Sequence, residues 1–83
     1  MTVLLTPDAQ AEFDALPATI RARVLRILQR LAAWPAVSGA NALSGDWAGH
    51  YRIRTGDWRV IFRVVAPQVI VVRIKHRSEV YED

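Results

Sequence analysis

From Tyr51 to Lys75 the apolar and polar side chains alternate strongly enough to assign most residues to a face. Tyr51, Ile53, Trp58, Val60, Phe62, Val64, Ile70, Val72 and Ile74 share one parity within their strands. Arg52, Arg54, Arg59, Arg63, Arg73 and Lys75 share the other. The pattern predicts two consecutive hairpins with one apolar and one cationic face. Gly56-Asp57, with glycine first, suits a two-residue type II′ turn. That turn sets Arg54 opposite Arg59 and Ile53 opposite Val60, so both strands agree on the apolar face. For the second hairpin, a two-residue Ala66-Pro67 turn would mix the faces, because a one-residue slip flips every side chain. A three-residue loop, Ala66-Pro67-Gln68, sets Val60 opposite Ile74 and Arg59 opposite Lys75, and is the expected arrangement. Ile61, Val65, Val69 and Val71 then lie among the cations, as an apolar stripe suited to an amphipathic, acidic partner segment.

Upstream the periodicity changes. Thr2 to Leu5 is β-prone. Thr6-Pro7-Asp8 reads as an N-cap, a proline at the first helical position and an acid at the positive end of the dipole. Ala9, Phe13 and Leu16 form the inner stripe of this helix. A second helix starts at Pro17 and runs to about Ala33, with Ile20, Val24, Ile27, Leu28 and Leu31 inward. Arg21, Arg23, Arg26 and Arg30 fall mostly outward, as a solvated face or as partners for Asp8, Glu12 and Asp14 of the first helix. Trp34-Pro35 stops the helix, and residues 35–49 read as a loop of small residues. The order β-α-α-β-β-β predicts an α+β fold: a helical hairpin on the apolar face of a small, mainly antiparallel sheet.

Composition narrows the function classes. The 83 residues make one domain, and a 52% hydrophobic share beside 23% charged excludes disorder. No apolar run approaches a membrane span and no apolar leader opens the chain, which predicts a cytoplasmic protein with no membrane partner. The absence of cysteine removes disulfides, thiolate nucleophiles and cysteine zinc sites. No histidine pair has metal-ligand spacing, so neither metal nor cofactor is expected. The net charge is only +3, but seven of the eleven basic residues fall between His50 and Arg77 with a single acid, Asp57. Such localisation points to a polyanion or an acidic partner.

Two leading helices, Leu43-Ser44-Gly45, YRIR (Tyr51 to Arg54), GDWRVIF (Gly56 to Phe62) and HRSEVY (His76 to Tyr81) together resemble the RelE/ParE superfamily of toxins from bacterial toxin–antitoxin modules. The resemblance covers nearly the whole chain. It implies a cognate antitoxin as partner and the basic sheet face as the working surface. RelE-like members are endoribonucleases, or mRNA interferases, that cut message in the ribosomal A site without metal. The ribose 2′-hydroxyl attacks the adjacent phosphate, leaving a cyclic phosphate and a 5′-hydroxyl. That chemistry needs a base, cations for the phosphorane oxygens and an acid for the leaving oxygen.

By position in the motifs, the resemblance makes Arg59 the phosphate-stabilising arginine, Lys75 the acid and Tyr81 the ring that stacks on or orients a base. Arg52 and Arg54 fall where the RelE branch has two lysines, one of them proposed as base. A guanidinium, with a pKa above about 12, clamps phosphate but does not take up a proton there. The candidate catalytic set is therefore Arg59, Lys75, Tyr81 and Arg54, with the base unassigned. Arg52, Arg63, Arg73, Arg77 and His76 complete a candidate phosphate-binding set. Each has a plainer reading. His76 shares the parity of Ile74 and reads as structural; His50 reads as a surface residue. Tyr81 fits closing the core beside Trp58 equally well, Arg63 and Arg73 border the groove, and Trp34, Trp47 and Trp58 read as packing residues. Three functions stay open: a ribosome-dependent ribonuclease, a ParE-like poison of DNA gyrase, and a noncatalytic partner-binding member.

Overall fold

The computed structural model describes residues 1–80, and its elements follow the expected order with one addition. Strand β1 (Thr2–Leu5) leads into helices α1 (Pro7–Asp14) and α2 (Ala18–Leu31), followed by a two-residue strand β2 (Asn41–Ala42), then β3 (Tyr51–Thr55), β4 (Trp58–Val65) and β5 (Gln68–His76). The five strands form one sheet in the order β1-β5-β4-β3-β2, parallel only between β1 and β5. β2 pairs with Tyr51 and Arg52. It is too short, and its residues too small, to show an alternation in the sequence.

The first hairpin has the anticipated register, with Arg54 opposite Arg59 and Ile53 opposite Val60. Gly56 sits at φ +58° and no residue other than glycine has positive φ among the described residues, the combination a type II′ turn requires. The second hairpin corrects the sequence reading. Val65 pairs with Gln68, so the turn is the two-residue Ala66-Pro67. Arg59 still faces Lys75 and Val60 faces Ile74, because a bulge adds Val72 where Ile61 pairs with Arg73 and Phe62 with Val71. A bulge shifts the alternation by one residue. Val69 and Val71 therefore point into the core, both fully buried, instead of lying among the cations, while Ile70 is half-buried.

The helical hairpin covers the apolar face. Ala9, Leu16, Val24, Ile27, Leu28 and Leu31 pack against Ile53, Val60, Phe62, Val69, Val71 and Ile74. Trp34, beyond α2, meets Tyr51 at 4.8 Å and the edge of Phe62 at 5.4 Å between ring centroids, closing that end of the core. Trp34 is thus a packing residue. No described helix is long and apolar enough to cross a membrane.

β1 ends at Leu5, opposite Val71, so the next stretch of β5 has no strand on its outer side and α1 takes that place. The Thr6 backbone N–H donates to Val71 O (3.0 Å). Its hydroxyl donates to Val72 O (3.2 Å) and accepts from the Ala9 N–H (3.2 Å), so one side chain caps α1 and holds the bulge. One turn further, the Glu12 carboxylate accepts the Ile74 N–H (2.9 Å). Glu12 also meets Lys75 Nζ at 2.8 Å and Arg73 Nη1 at 3.1 Å, while Asp8 stands 3.8 Å from Arg73. Asp8 and Glu12 thus turn to β5 and not to the arginines of α2, while the Asp14 carboxylate accepts from Gln10. Arg21 reaches only the backbone oxygen of Asp14, at 3.3 Å.

Burial by itself raises the pKa of Glu12, but the hydrogen bonds from Lys75, the Ile74 N–H and Arg73 outweigh it and hold the carboxyl below its ordinary 4.5. A depressed folded pKa contributes stability that is complete above the unfolded value and is lost as pH falls through the folded one. Urea titrations from pH 7 to pH 3 are expected to show that loss beginning below about 4.5. Glu12→Gln should unfold more easily at pH 7 and depend less on pH; parallel curves for the two proteins would refute the assignment. Thr6→Ala is expected to cost about 1–2 kcal/mol, with Thr6→Ser restoring most of it, as read from denaturant midpoints.

Candidate functional site

The sheet face away from the helices is the candidate site, and cross-strand register assembles its centre. Arg54, Arg59 and Lys75 occupy one row across β3, β4 and β5. Arg52, Ile61 and Arg73 occupy the row beside it. Antiparallel neighbours lie about 4.5–5.5 Å apart. The row therefore spans about 10 Å from Arg54 to Lys75 at the backbone, with Arg59 between them.

Their environments differ sharply. Arg54 and Arg63 are exposed. Arg59 is only 4% exposed. Its guanidinium folds back on the hairpin turn, Nη1 donating to Gly56 O (2.9 Å) and Trp58 O (3.2 Å). Arg59 thus lies on the cationic face without being an open cation, and its side chain is part of the packed hairpin. Lys75 lies between Glu12 and Glu79, whose carboxylate is 3.3 Å away. The hydrogen bond to Glu12 raises the Lys75 pKa; burial works against it, and Glu79 adds to the rise. The ammonium is thus a weaker acid at rest than an ordinary lysine.

A shallow depression of about 260 Å³ lies beside this row, lined by Trp47, Ile61, Arg73, Lys75, Glu79 and Val80. Ile61 is fully buried yet stands on this face, between Arg52 and Arg73 in register. Beyond it, toward β1, the surface turns apolar, with Leu4 opposite Ile70 in register and Val65 half-exposed at the hairpin end. The open face is thus bipartite, with cations toward β3 and the end of β5, and aliphatics toward β1.

The remaining candidates sit at the rim. Arg77 is exposed, with Nε 3.6 Å from Asp57, and its backbone N–H donates to Asp57 O at 2.7 Å. His76 pairs with Trp58 in register and meets it edge to face at 5.4 Å. The His76 Nδ1 accepts the Ser78 N–H (3.3 Å), and Nε2 lies 4.0 Å from Asp57. The ring caps the turn after β5 and faces away from the cationic row. Tyr81 lies outside the described residues. Among the described residues, no three His, Cys, Asp or Glu side chains converge as a metal site would need.

Glu12, Glu79, Trp47 and Val80 were not singled out from the sequence as parts of this site. For Glu12 a signal existed. Asp8 and Glu12 are four apart on α1 and so share a face, but which basic group they meet depends on where β1 ends. Trp47 stands in a short 3-10 turn (Gly45–Trp47) with its ring edge to face with His50 at 5.3 Å, and nothing in the loop's composition announces that position.

Residues 3–81 match the family model described as the ParE toxin of type II toxin–antitoxin systems, parDE. Compared by sequence with curated proteins, the chain matches none. Among solved structures it resembles the toxin–antitoxin complex RelBE2 from Mycobacterium tuberculosis at 26% identity and a TM-score of 0.77, covering 92% of this chain and 96% of that one. It superposes similarly on the RelB–RelE complex from Methanococcus jannaschii (22%, TM-score 0.78, 94% of each chain). The isolated RelE toxin from E. coli gives 21% and 0.76, over 96% of this chain and 89% of that one. The last two likenesses show the fold. The family model spans nearly the entire chain, and the chain therefore belongs to the ParE toxin family of type II toxin–antitoxin systems, within the RelE/ParE superfamily.

Proposed function

We propose that this toxin is an endoribonuclease that cleaves messenger RNA on the ribosome, by attack of a ribose 2′-hydroxyl on the adjacent phosphate. The observation that carries the reading is the cross-strand row Arg54–Arg59–Lys75. Negative charge grows on the phosphorane oxygens as the hydroxyl attacks, and fixed cations in a partly dry site stabilise it without reorganising. Arg54 supplies an accessible guanidinium. Arg59, held by two carbonyls of the turn, supplies a positioned one. Lys75 is protonated at neutral pH and suits donation to the leaving 5′ oxygen; binding that draws it from Glu12 returns its pKa toward the ordinary value and makes it a better acid. Tyr81 keeps its role as the base-orienting ring. Arg52, Arg63, Arg73 and Arg77 hold the flanking phosphates, and no metal or cofactor is invoked.

A second reading, a ParE-like toxin that poisons DNA gyrase, is favoured by one observation. Arg59 is buried and Lys75 is held between two carboxylates, so the row is less available than a ready active centre would be. In either case the partner that neutralises the toxin is a cognate antitoxin. The relatives from M. tuberculosis and M. jannaschii were both solved as toxin–antitoxin complexes. An acidic, amphipathic segment complements the bipartite face, with its apolar side on Leu4, Ile70 and Val65 and its acids toward the cations.

Brief induction followed by mapping of message ends and of DNA breaks separates the two activities. Ribosome-bound message with new 5′-hydroxyl ends is expected; gyrase-dependent breaks with intact message establish the second reading instead. In a reconstituted ribosome assay, Lys75→Ala should slow cleavage by about 100-fold or more while ribosome binding changes little, since an acid acts mainly in the transition state. Arg59→Ala should also lose cleavage. Unlike an exposed cation it should additionally cost about 1–3 kcal/mol of stability, measured by denaturation, because its hydrogen bonds are buried. Val65→Asp should leave toxicity intact but weaken rescue by the co-expressed antitoxin; unchanged rescue would remove the apolar end of the face from that interface.

A further inference from the structure

The cationic face is not uniformly cationic. At the end of β5, the two cations Arg73 and Lys75 are matched by two carboxylates at hydrogen-bond distance, Glu12 and Glu79. The two acids are held differently. Glu79 is 55% exposed and lies in the short turn after β5, so it can swing away. The Glu12 side chain is 17% exposed and is fastened by the Ile74 N–H at 2.9 Å as well as by the two cations. It cannot leave without exposing a strand-edge donor.

Glu12 also approaches from a different side. Arg73, Lys75 and Glu79 line the depression on the open face, whereas Glu12 does not. A phosphate entering from the depression would meet an ammonium and a guanidinium that already have a permanent counter-anion at their edge. Single-stranded nucleic acid gains affinity in proportion to the phosphates neutralised, so a cation already matched contributes less than a free one.

We propose that Glu12 is a built-in counter-anion that competes with a polyanionic ligand for Arg73 and Lys75, and so limits the toxin's grip on RNA at that end of the sheet. This rests on the ribonuclease reading for the identity of the ligand, single-stranded RNA, but not for its physics. Binding at the β5 end is restrained, and the unrestrained grip comes from the exposed arginines of the first hairpin and its continuation, Arg54 and Arg63. The arrangement leaves Lys75 free to act in the reaction while adding little to ground-state affinity, the division of labour an acid requires.

The test is the equilibrium binding of a six-nucleotide oligouridylate to the free toxin across a range of salt concentrations. Glu12→Gln is nearly isosteric, and its amide oxygen can still accept the Ile74 N–H. It is expected to bind about fivefold more tightly at 0.1 M salt, with a salt slope steeper by about 0.7, the signature of one additional phosphate neutralised on a single strand. Asp14→Asn makes the same change in net charge on the same helix, at an exposed residue bonded to Gln10, and should change affinity less than about twofold. A folded Glu12→Gln protein that binds no better than the wild type, or no better than Asp14→Asn, overturns the proposal. If that variant does not fold, the comparison of Lys75→Gln with Arg54→Gln decides. The proposal requires Arg54→Gln to weaken binding by about fivefold and Lys75→Gln by less than about twofold; equal losses overturn it. Ribosome-dependent cleavage is assayed on the same proteins. Absence of cleavage by the wild type, with Glu12→Gln still the tighter binder, removes the ribonuclease reading and leaves the counter-anion in place.

Discussion

The Glu12 carboxylate is where the helical layer, the sheet edge and the charged face depend on one another. β1 covers only the first part of β5, so the backbone beyond Val71 is an edge that must be satisfied or left to water. Thr6 takes the carbonyls of Val71 and Val72, and Glu12 takes the N–H of Ile74. With that bond made, the other carboxylate interactions follow from geometry. Arg73 and Lys75 flank Ile74 in sequence and their side chains leave the strand on the opposite face, so each reaches around the edge to the same acid. A hydrogen bond with one charged partner contributes about 1.5–3 kcal/mol. The seating of a helix of only eight residues therefore rests on this contact to a degree that its small buried stripe alone could not match.

The bulge at Val72 belongs to the same arrangement. A strand that obeyed simple alternation from Gln68 to His76 could not bury Val69 and Val71 beside β1 and also place Arg73 and Lys75 on the open face. One extra residue allows both. It falls just where the outer neighbour of β5 changes from a strand to a helix, and the hydroxyl of Thr6 holds its carbonyl. Bulges bend and twist a strand locally, and here that change of direction coincides with the passage from the apolar half of the open face to its cationic half.

These particulars explain which parts of the fold were legible in the sequence. The first hairpin was, because Gly56 fixes its turn and YRIR and WRVIF carry a clear apolar–basic alternation. Thr6-Pro7 and the inward stripe of α2 were equally clear, each being a local signal. The second hairpin was legible as a hairpin with Arg59 opposite Lys75, but its two-residue turn and its bulge were not, since Val69 to Val72 is a run of β-branched residues with no polar member to report parity. At the site, the alternation placed Arg54, Arg59 and Lys75 on one face, and the register then set them in one row. It could not tell that Arg59 folds onto its own turn, which is decided by how that side chain packs, or that Lys75 is held by an acid 63 positions earlier in the chain, which is decided by the packing of α1. A pairing of the α1 acids with the arginines of α2 was one of two readings and rested on proximity in sequence, whereas Asp8 and Glu12 meet β5.

Arg52 and Arg54, which the resemblance sets where the RelE branch has lysines, take on a different sense in this setting. A surface meant only to attract an anion works with either residue, but a guanidinium gives up its proton too reluctantly to serve as a base. The described part of the open face thus holds strong cations, one lysine kept protonated by its neighbours, and the carboxylate of Glu79 at the rim of the depression. Its chemistry is therefore asymmetric. Under the ribonuclease reading, the strong cations suit a pentacoordinate phosphate and Lys75 suits a leaving oxygen, whereas the proton of the attacking hydroxyl has no acceptor among the arginines. A cleavage reaction on this face would draw its base from Glu79, from outside the arginine row, or from the ribosome-bound substrate itself.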